Sequence, residues 1–429
     1  MATIIKQHPL YTTLPVGQDV IFTVSNGTIV SNQTRVKFVA EVYIGQPALT
    51  IDPDYYVGTF KTTPNEAGVG MFDFRTIIES YVNSDNQAYY QSRYKSVTYV
   101  DKPFPIDIVD KWVLNQNCSR HLMVHFKTEY LDTTTNTIID DTTTATSVEY
   151  TIFNGYLKHT DELKTYQENF GYDYTSFAIL DSDSRFLTNA PMTQYATEND
   201  YGTIGLFTDG LQTLHAIKIT YTENDGTVTS ENIGKNWTNG AYTSASSTSS
   251  GAFLYCGCYP GNLRNWSSTM QALITAGTLA SYTVQGINTS SVAVTEKLTI
   301  NILCPTLKGF VPIRLKWLNQ WGFWDYYTFN MKSTKTISTK GTTYQQLEGS
   351  WNDRVYQPKG YKGGKKAFRV NATENIKINT DFVSEAESEW FEELINSPEV
   401  YILNGFKQQT ATESAFSTST TYLVPVRLK

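Results

Sequence analysis

Residues 311–329 read VPIRLKWLNQWGFWDYYTF, and this stretch gives the strongest indication of how the chain folds. In its first half, apolar residues alternate with Arg314 and Lys316, a period of two that places the apolar row against a core and the two charges in water. Residues 319–322 supply turn chemistry, because Asn and Gly tolerate the positive φ of a tight reversal. The aromatic return half, residues 324–329, suits a pleated, half-buried surface. The stretch therefore predicts a β-hairpin that seeds a C-terminal domain.

The composition of the chain favours β-sheets. Its 429 residues are too many for one core and fit roughly two to four domains. It contains 29 Tyr and 21 Phe, while only 17% of its residues are charged. Aromatic and β-branched side chains pack well in sheets. We therefore predict a mainly β fold, with several antiparallel β-sandwich-like domains, a few short helices and a C-terminal α+β domain.

Turn signals and breaks in the pattern divide the sequence into segments. Asp225 and Gly226 lie between two alternating runs and form a strong hairpin signal. Ser384 and Glu387 form the capping-box pattern of a helix that presents Trp390 on its apolar side. The predicted division is an N-terminal β domain at 1–155, a connector at 156–200, a β-sandwich-like domain at 201–304 and a C-terminal β domain with one helix at 305–429.

Charge and hydropathy bear on the partners and the compartment. The net charge is −7 with a pI near 5.4, which disfavours nucleic acid as a partner because phosphate contacts require a basic face. No stretch reaches the ~18 apolar residues of a membrane-spanning helix, and the N-terminus lacks the charged-then-apolar layout of a signal peptide. We therefore expect no membrane span and folding in a cytoplasm.

The sequence contains no recognisable catalytic or metal-binding motif. His121 and His125 lie in a run that alternates like a strand, where residues i and i+4 are ~13 Å apart, too far to share one ion. Ser-His-Asp order with elbow glycines, a P-loop and G-x-G-x-x-G are all absent. We predict no catalytic residue, no cofactor and no metal, and a protein that is not an enzyme. Four cysteines are too few and too irregular for a disulfide framework and are predicted to be buried free thiols: Cys118, Cys256, Cys258 and Cys304.

Two groups of residues form a candidate interaction surface. The aromatics of the hairpin outnumber what one small face can bury, so its turn is expected to meet a neighbouring subunit or a sugar ring. A lysine-rich glycine loop is expected to be a solvated tip or, alternatively, a contact for nucleic acid or an acidic partner. The surface comprises Trp321, Phe323, Trp324, Tyr326, Lys362, Lys365 and Lys366.

Three runs of sequence resemble a known family. They are TFKTTPNEAGVGMFDFRTIIESYV at 59–82, IRLKWLNQWGFWDYYTF at 313–329 and FEELINSPEVYIL at 391–403. The chain resembles, in these runs, a β-rich structural protein of tailed bacteriophages of Bacteroidota, including crAss-like phages. The resemblance implies a virion protein of the tail, baseplate or portal-adjacent region, assembled in the host cytoplasm and present in several copies. It implies other virion proteins as partners and a homo-oligomer, and it supplies no site residues.

Two functions of different classes remain open on the sequence alone. The first is a structural subunit of a tailed-phage virion that acts through protein–protein contacts. The second is a carbohydrate-binding adhesin or receptor-binding module of the tail, which would stack host surface glycans on the aromatics of the hairpin turn. A polysaccharide-cleaving tailspike enzyme is disfavoured because the sequence has no β-helix repeats.

Overall fold

A computed structural model gives the coordinates of the chain and confirms the predicted fold class, which is mainly β with several sheets and few short helices. The structure describes these residues: 2–9, 12–46, 50–88, 104–109, 111–115, 117–156, 184–208, 214–234, 252–303, 309–349, 354–357, 363–403, 406–409, 420–423 and 426–427. Three predictions lie outside them: the sequence pattern favours one or two helical turns at 161–170 and a strand at 177–180, and Cys304 is predicted to be a buried thiol.

The strands follow one another along the described chain from β1 to β28. The first thirteen are β1 Ile4–Gln7, β2 Thr13–Pro15, β3 Ile21–Ser25, β4 Thr34–Gly45, β5 Tyr56–Thr62, β6 Val69–Asp73, β7 Gln87–Ala88, β8 Phe104–Pro105, β9 Trp112–Leu114, β10 Ser119–Asp132, β11 Thr137–Asp140, β12 Ala145–Thr146 and β13 Tyr150–Phe153. The next seven are β14 Thr193–Thr197, β15 Thr203–Thr208, β16 Ala216–Glu223, β17 Val228–Gly234, β18 Ala252–Gly257, β19 Leu279–Ile287 and β20 Leu298–Leu303. The last eight are β21 Ile313–Leu318, β22 Trp324–Phe329, β23 Thr334–Gln346, β24 Gly364–Lys377, β25 Val400–Ile402, β26 Phe406–Gln409, β27 Thr420–Leu423 and β28 Val426–Arg427.

The helices of the described chain are short. The α-helices are α1 Gly27–Asn32, α2 Arg75–Ile78, α3 Pro260–Leu263, α4 Ser268–Ala276 and α5 Glu385–Asn396, and 3-10 turns occupy Pro53–Tyr55, Glu79–Tyr81 and Ile106–Ile108. The predicted capping box starts α5: the Ser384 hydroxyl accepts from the Glu387 amide, and the Glu387 carboxylate accepts from the Ser384 amide. This reciprocal pair satisfies two donors that the first turn leaves without partners. The ring of Trp390 on α5 lies 4.9 Å from that of Trp317.

The N-terminal sheets enclose one hydrophobic cluster. A seven-stranded sheet has the order β2-β13-β10-β4-β5, with β11 and β12 also paired to β10, and a three-stranded sheet has the order β1-β3-β6. Alternate residues of β4, among them Phe38 and Val42, are buried, as its period of two requires. The polar composition of the Thr- and Asp-rich segment 132–146 predicts a loop that projects into solvent. Residues 133–138 are exposed, as expected, but the segment is not a loop throughout, because β11 and β12 within it pair with the long strand β10.

A second group of sheets holds the larger hydrophobic cluster. A five-stranded sheet has the order β14-β20-β19-β16-β17, and β15-β18-β9 form a three-stranded sheet. The predicted hairpin at Asp225 and Gly226 is confirmed as β16 and β17, which pair in register from Ala216 opposite Gly234 to Thr222 opposite Val228. A four-stranded sheet of order β22-β21-β25-β28 contributes Trp324 to the same cluster, and the turn between β21 and β22 contributes Trp321.

The chain divides into two compact units. The larger unit comprises Met1–Cys304, Arg314–Thr328 and Val383–Lys429, and the smaller unit comprises Pro305–Ile313 and Phe329–Phe382. The smaller unit contains β23 and β24, which pair antiparallel over their whole length with one bulge between Thr342 and Thr343. We call this pair of strands the ribbon. The predicted boundaries near residues 155, 200 and 304 stay a prediction.

Candidate functional site

The predicted aromatic surface is buried in the larger unit. Trp321, Phe323, Trp324 and Tyr326 are each less than 5% exposed, so the expectation that they face a partner or a sugar is wrong. The physical reason is that the hairpin is covered on both of its faces, whereas the alternating sequence suggested that only one face is covered. The ring of Phe323, for example, lies 4.7 Å from that of Tyr255.

Lys316 lies at the centre of a buried polar group, although the alternation placed it in water. Its Nζ donates to Asp107 Oδ2 at 2.9 Å and to Asn86 Oδ1 at 3.3 Å, and both side chains of the Lys316–Asp107 ion pair are fully buried. The ammonium also lies 4.3 Å from the centroid of the Trp324 ring, within the range of a cation–π contact. Burial lowers the pKa of Lys316, and the Asp107 carboxylate opposes that shift.

Arg314, on the same strand, is likewise buried instead of solvated. Its Nε donates to the Tyr201 carbonyl at 2.8 Å, and its Nη1 donates to Thr328 Oγ1 at 2.8 Å and lies 3.3 Å from Asp200 Oδ2. The guanidinium stacks over the Tyr259 ring, 4.5 Å from the centroid. A planar guanidinium suits such an enclosed site, because it can stack on an aromatic ring while donating in its own plane.

Asp325 is a third buried charge, on the strand next to that of Lys316 and Arg314. It accepts hydrogen bonds from Trp390 Nε1 at 2.7 Å, Thr188 Oγ1 at 2.7 Å and Asn319 Nδ2 at 3.0 Å. Burial raises the pKa of Asp325 to about 6, and the three donors act in the opposite direction. The carboxylate therefore connects α5, the segment before β14 and the hairpin turn.

The raised pKa of Asp325 predicts a pH-dependent stability difference. The folded pKa is about 6 against an ordinary pKa of 3.8, so the folded state retains a proton between these values that the unfolded state releases. This contribution to stability is present below about pH 4 and is lost as the pH rises through 6. Relative to Asp325→Asn, the wild type should be more stable at pH 4 than at pH 7. The difference between their free energies of unfolding, wild type minus variant, should fall by up to about 3 kcal/mol from pH 4 to pH 7. Urea denaturation at both pH values measures this difference, and a constant difference would contradict it.

The cavity beside Asp325 is small. A cavity of about 10 Å³ adjoins Thr188, Thr203, Tyr259 and Asp325. A volume of that size holds about one water molecule. Lys316 meets Asp107, Arg314 meets Asp200, and Asp325 meets three neutral donors. Each of the three hairpin side chains thereby joins the hairpin to a distant part of the sequence.

His121 and three of the cysteines are buried. His121 Nδ1 lies 2.8 Å from Glu149 Oε1, and burial lowers the pKa of this imidazole. Cys118, Cys256 and Cys258 are buried free thiols, as predicted. No group of three or more His, Cys, Asp or Glu with the geometry to hold a metal ion occurs in the described part of the chain. In the same part, no helix combines the length and apolar character needed to cross a membrane.

The ribbon of the smaller unit has two chemically different faces. Cross-strand partners share a face, so Ile337, Thr339 and Gly341, with Ala372 and Val370 opposite the latter two, lie on one side, which we call the apolar face. The same side also carries Glu374 opposite Ile337, paired with Lys335, and Lys365 near its end. The other side, the basic face, carries four cations and no carboxylate among the described residues of the two strands: Lys340, Lys366, Arg369 and Lys377. Arg369 Nε donates to Asn371 Oδ1 at 3.1 Å on this side.

Both faces of the ribbon are open to solvent. Ile337 is 58% exposed and Val370 is 60% exposed, and neither strand pairs with a third strand in the described residues. Lys365 and Lys366 were expected in a loop. They lie instead at the exposed start of β24, while Lys362 lies outside the described residues. Of the residues predicted to form the interaction surface, Lys365 and Lys366 are the described ones that are exposed.

Comparisons with known proteins add little to this picture. No protein-family model matches the chain, and no curated protein matches it. Among solved structures, a bacterial adhesin from Mobiluncus mulieris with intramolecular disulfide, isopeptide and ester cross-links aligns over 88% of this chain and 97% of the adhesin, at 8% identity and a TM-score of 0.17. The native conformation of alpha-2-macroglobulin from E. coli aligns over 100% of this chain and 23% of that protein, at 9% identity and a TM-score of 0.19. At these TM-scores neither likeness bears on fold or function.

Proposed function

We propose that this chain is a structural subunit of a tailed-phage virion, located in the tail, baseplate or portal-adjacent region, that acts through protein–protein contacts and not as an enzyme. The observation that carries the proposal is the ribbon, which leaves an apolar face and two strand edges in water. The three runs of sequence at 59–82, 313–329 and 391–403 supply the virion context.

The exposed ribbon is a surface that an assembly would cover. A two-stranded sheet alone is marginally stable in water, and unpaired strand edges tend to pair with another chain. Fully burying an Ile or Val side chain contributes about 1.5–3 kcal/mol, and Ile337 and Val370 still have more than half of their surface to bury. Contact with a neighbouring virion protein would remove the exposed apolar area and support both strands.

The buried polar groups of the larger unit support the same proposal. Lys316 and Arg314 are enclosed and paired with carboxylates, and the enclosed Asp325 accepts three hydrogen bonds from neutral donors, so these groups hold the framework together instead of presenting reactive groups. The adhesin alternative relied on exposed aromatics at Trp321, Phe323 and Trp324. Since these side chains are buried, the observation that favoured sugar stacking no longer supports it.

Purified phage particles provide the test. We expect quantitative mass spectrometry of particles from an infected culture to find this chain in a fixed ratio of several copies per particle, and antibodies against it to label the tail or its junction with the capsid. The matched control is a phage-encoded protein of replication, which should be present in the infected cells and absent from the particles. Expression in the cells without incorporation into particles would contradict the proposal.

A further inference from the structure

Charge is divided unequally between the two units of the chain. The smaller unit contains 11 Lys and Arg against 4 Asp and Glu, a net charge of +7. The larger unit contains 23 Lys and Arg against 37 Asp and Glu, a net charge of −14. The overall charge of −7 conceals this opposition. Charge of one sign attracts a partner surface of the other sign and repels its own kind.

We infer that the ribbon docks on the larger unit of a second copy of this chain, so that copies associate head to tail. The inference rests on the proposed function, which requires several copies in one assembly. Contact between two ribbons would bring two units of +7 together, and contact between two larger units would bring together two of −14. Contact between the ribbon of one copy and the larger unit of another is the pairing that joins opposite charges. Such a heterologous contact generates a ring where the rotation closes and an open chain where it does not.

The two faces of the ribbon point to a protein partner over a nucleic acid. Lys340, Lys366 and Arg369 would suit phosphates as well as carboxylates, and a two-stranded ribbon fits the major groove of DNA. A duplex, however, would leave the opposite face in water, where Ile337 and Val370 are more than half exposed. A protein surface offers apolar side chains to cover them and carboxylates to meet the cations.

The first experiment measures self-association of the full chain by mass photometry and sedimentation velocity. We expect masses at multiples of 48.4 kDa, with association weakening as salt rises from about 0.05 to 0.5 M, because screening shortens the reach of the charges.

Lys340→Glu with Arg369→Glu should weaken association and flatten its dependence on salt. Ile337→Thr with Val370→Thr should weaken it at least about tenfold while keeping the net charge. The matched control, Ile138→Thr with Val228→Thr, makes the same changes at exposed side chains outside the ribbon and should stay within about twofold of wild type.

The second experiment tests the head-to-tail arrangement. Trace fluorescent wild type is titrated with unlabelled Ile337→Thr/Val370→Thr protein, which retains an unchanged larger unit. Head-to-tail docking predicts binding with the affinity of wild-type self-association, since the wild-type ribbon still meets an intact acceptor. If the wild type associates with itself but does not bind the variant, the head-to-tail arrangement is overturned in favour of ribbon-to-ribbon contact.

Two further outcomes would overturn the inference. One is a wild-type chain that stays monomeric at every concentration and salt. The other is a monomeric chain that binds a DNA duplex with strong salt dependence through Lys340 and Arg369, which would make nucleic acid the occupant. In either case, presence of the chain in purified particles would leave the proposed virion function standing, so the two failures are distinguishable.

Discussion

Replacing Lys316 by Met is expected to lower the free energy of unfolding of the larger unit by about 3–5 kcal/mol. The substitution retains a long apolar stem and removes the ammonium that faces Asp107 at 2.9 Å. Asp107 then stays fully buried without the ammonium, and the Tyr326 hydroxyl still donates to its Oδ1. An uncompensated charge in a dry interior costs several kcal/mol, which is why the loss exceeds that of an ordinary hydrogen bond.

Urea denaturation followed by tryptophan fluorescence measures this effect, since Trp324 lies beside the ammonium. Lys335→Met is the matched control, because Lys335 pairs with Glu374 in the exposed ribbon and an exposed pair contributes at most about 1 kcal/mol. Combining Lys316→Met with Asp107→Asn should recover part of the loss, because the second change removes the unpaired charge. A loss for Lys316→Met no larger than that for Lys335→Met would show that the buried pair is not needed.

Gly322→Ala is the second substitution with a large expected effect. Gly322 closes the turn between β21 and β22 with φ of +78°, and a Cβ there would lie 2.0 Å from the Asn154 carbonyl oxygen. The left-handed conformation costs an L-residue about 1–2 kcal/mol, and overpacking adds about 1–3 kcal/mol. We therefore expect a loss of about 2–5 kcal/mol in the free energy of unfolding.

The chain offers a control that separates the two costs. Gly226 has φ of +89°, and a Cβ built on it meets nothing within 4 Å. Gly226→Ala should therefore show the conformational cost alone, about 1–2 kcal/mol. Equal losses for the two variants would mean that the Asn154 backbone moves aside without cost. A larger loss for Gly322→Ala would confirm that the Asn154 backbone leaves no room for a Cβ at this position.

Local signals in the sequence predicted much of the fold. The hairpin at Asp225 and Gly226 and the capping box at Ser384 depend on residues only a few positions apart, and both are present. The free buried thiols were also predictable, because Cys is among the most buried residue types. The ribbon was missed because apolar residues such as Ile337 and Val370 are sparse among its threonines, lysines and asparagines.

The burial of Arg314 and Lys316 could not be predicted from the alternation around them. A period of two shows which residues share a face, and it does not show how many faces are covered. The carboxylate that compensates Lys316 lies 209 residues away, and no local pattern connects the two. One signal was available, namely two cations in a stretch dense with aromatics, where stacking can stabilise a desolvated charge.

The long separation between Asp107 and Lys316 also has a consequence for synthesis of the chain. A ribosome that adds about 5–20 residues per second needs roughly 10–40 s to cover 209 residues. During that interval the Asp107 carboxylate has no ammonium to meet, so the larger hydrophobic cluster cannot close around it. The N-terminal cluster, built from residues between Leu14 and Ile152, is complete much earlier. The nascent chain should therefore emerge with its N-terminal sheets folded and its central strands waiting for β21.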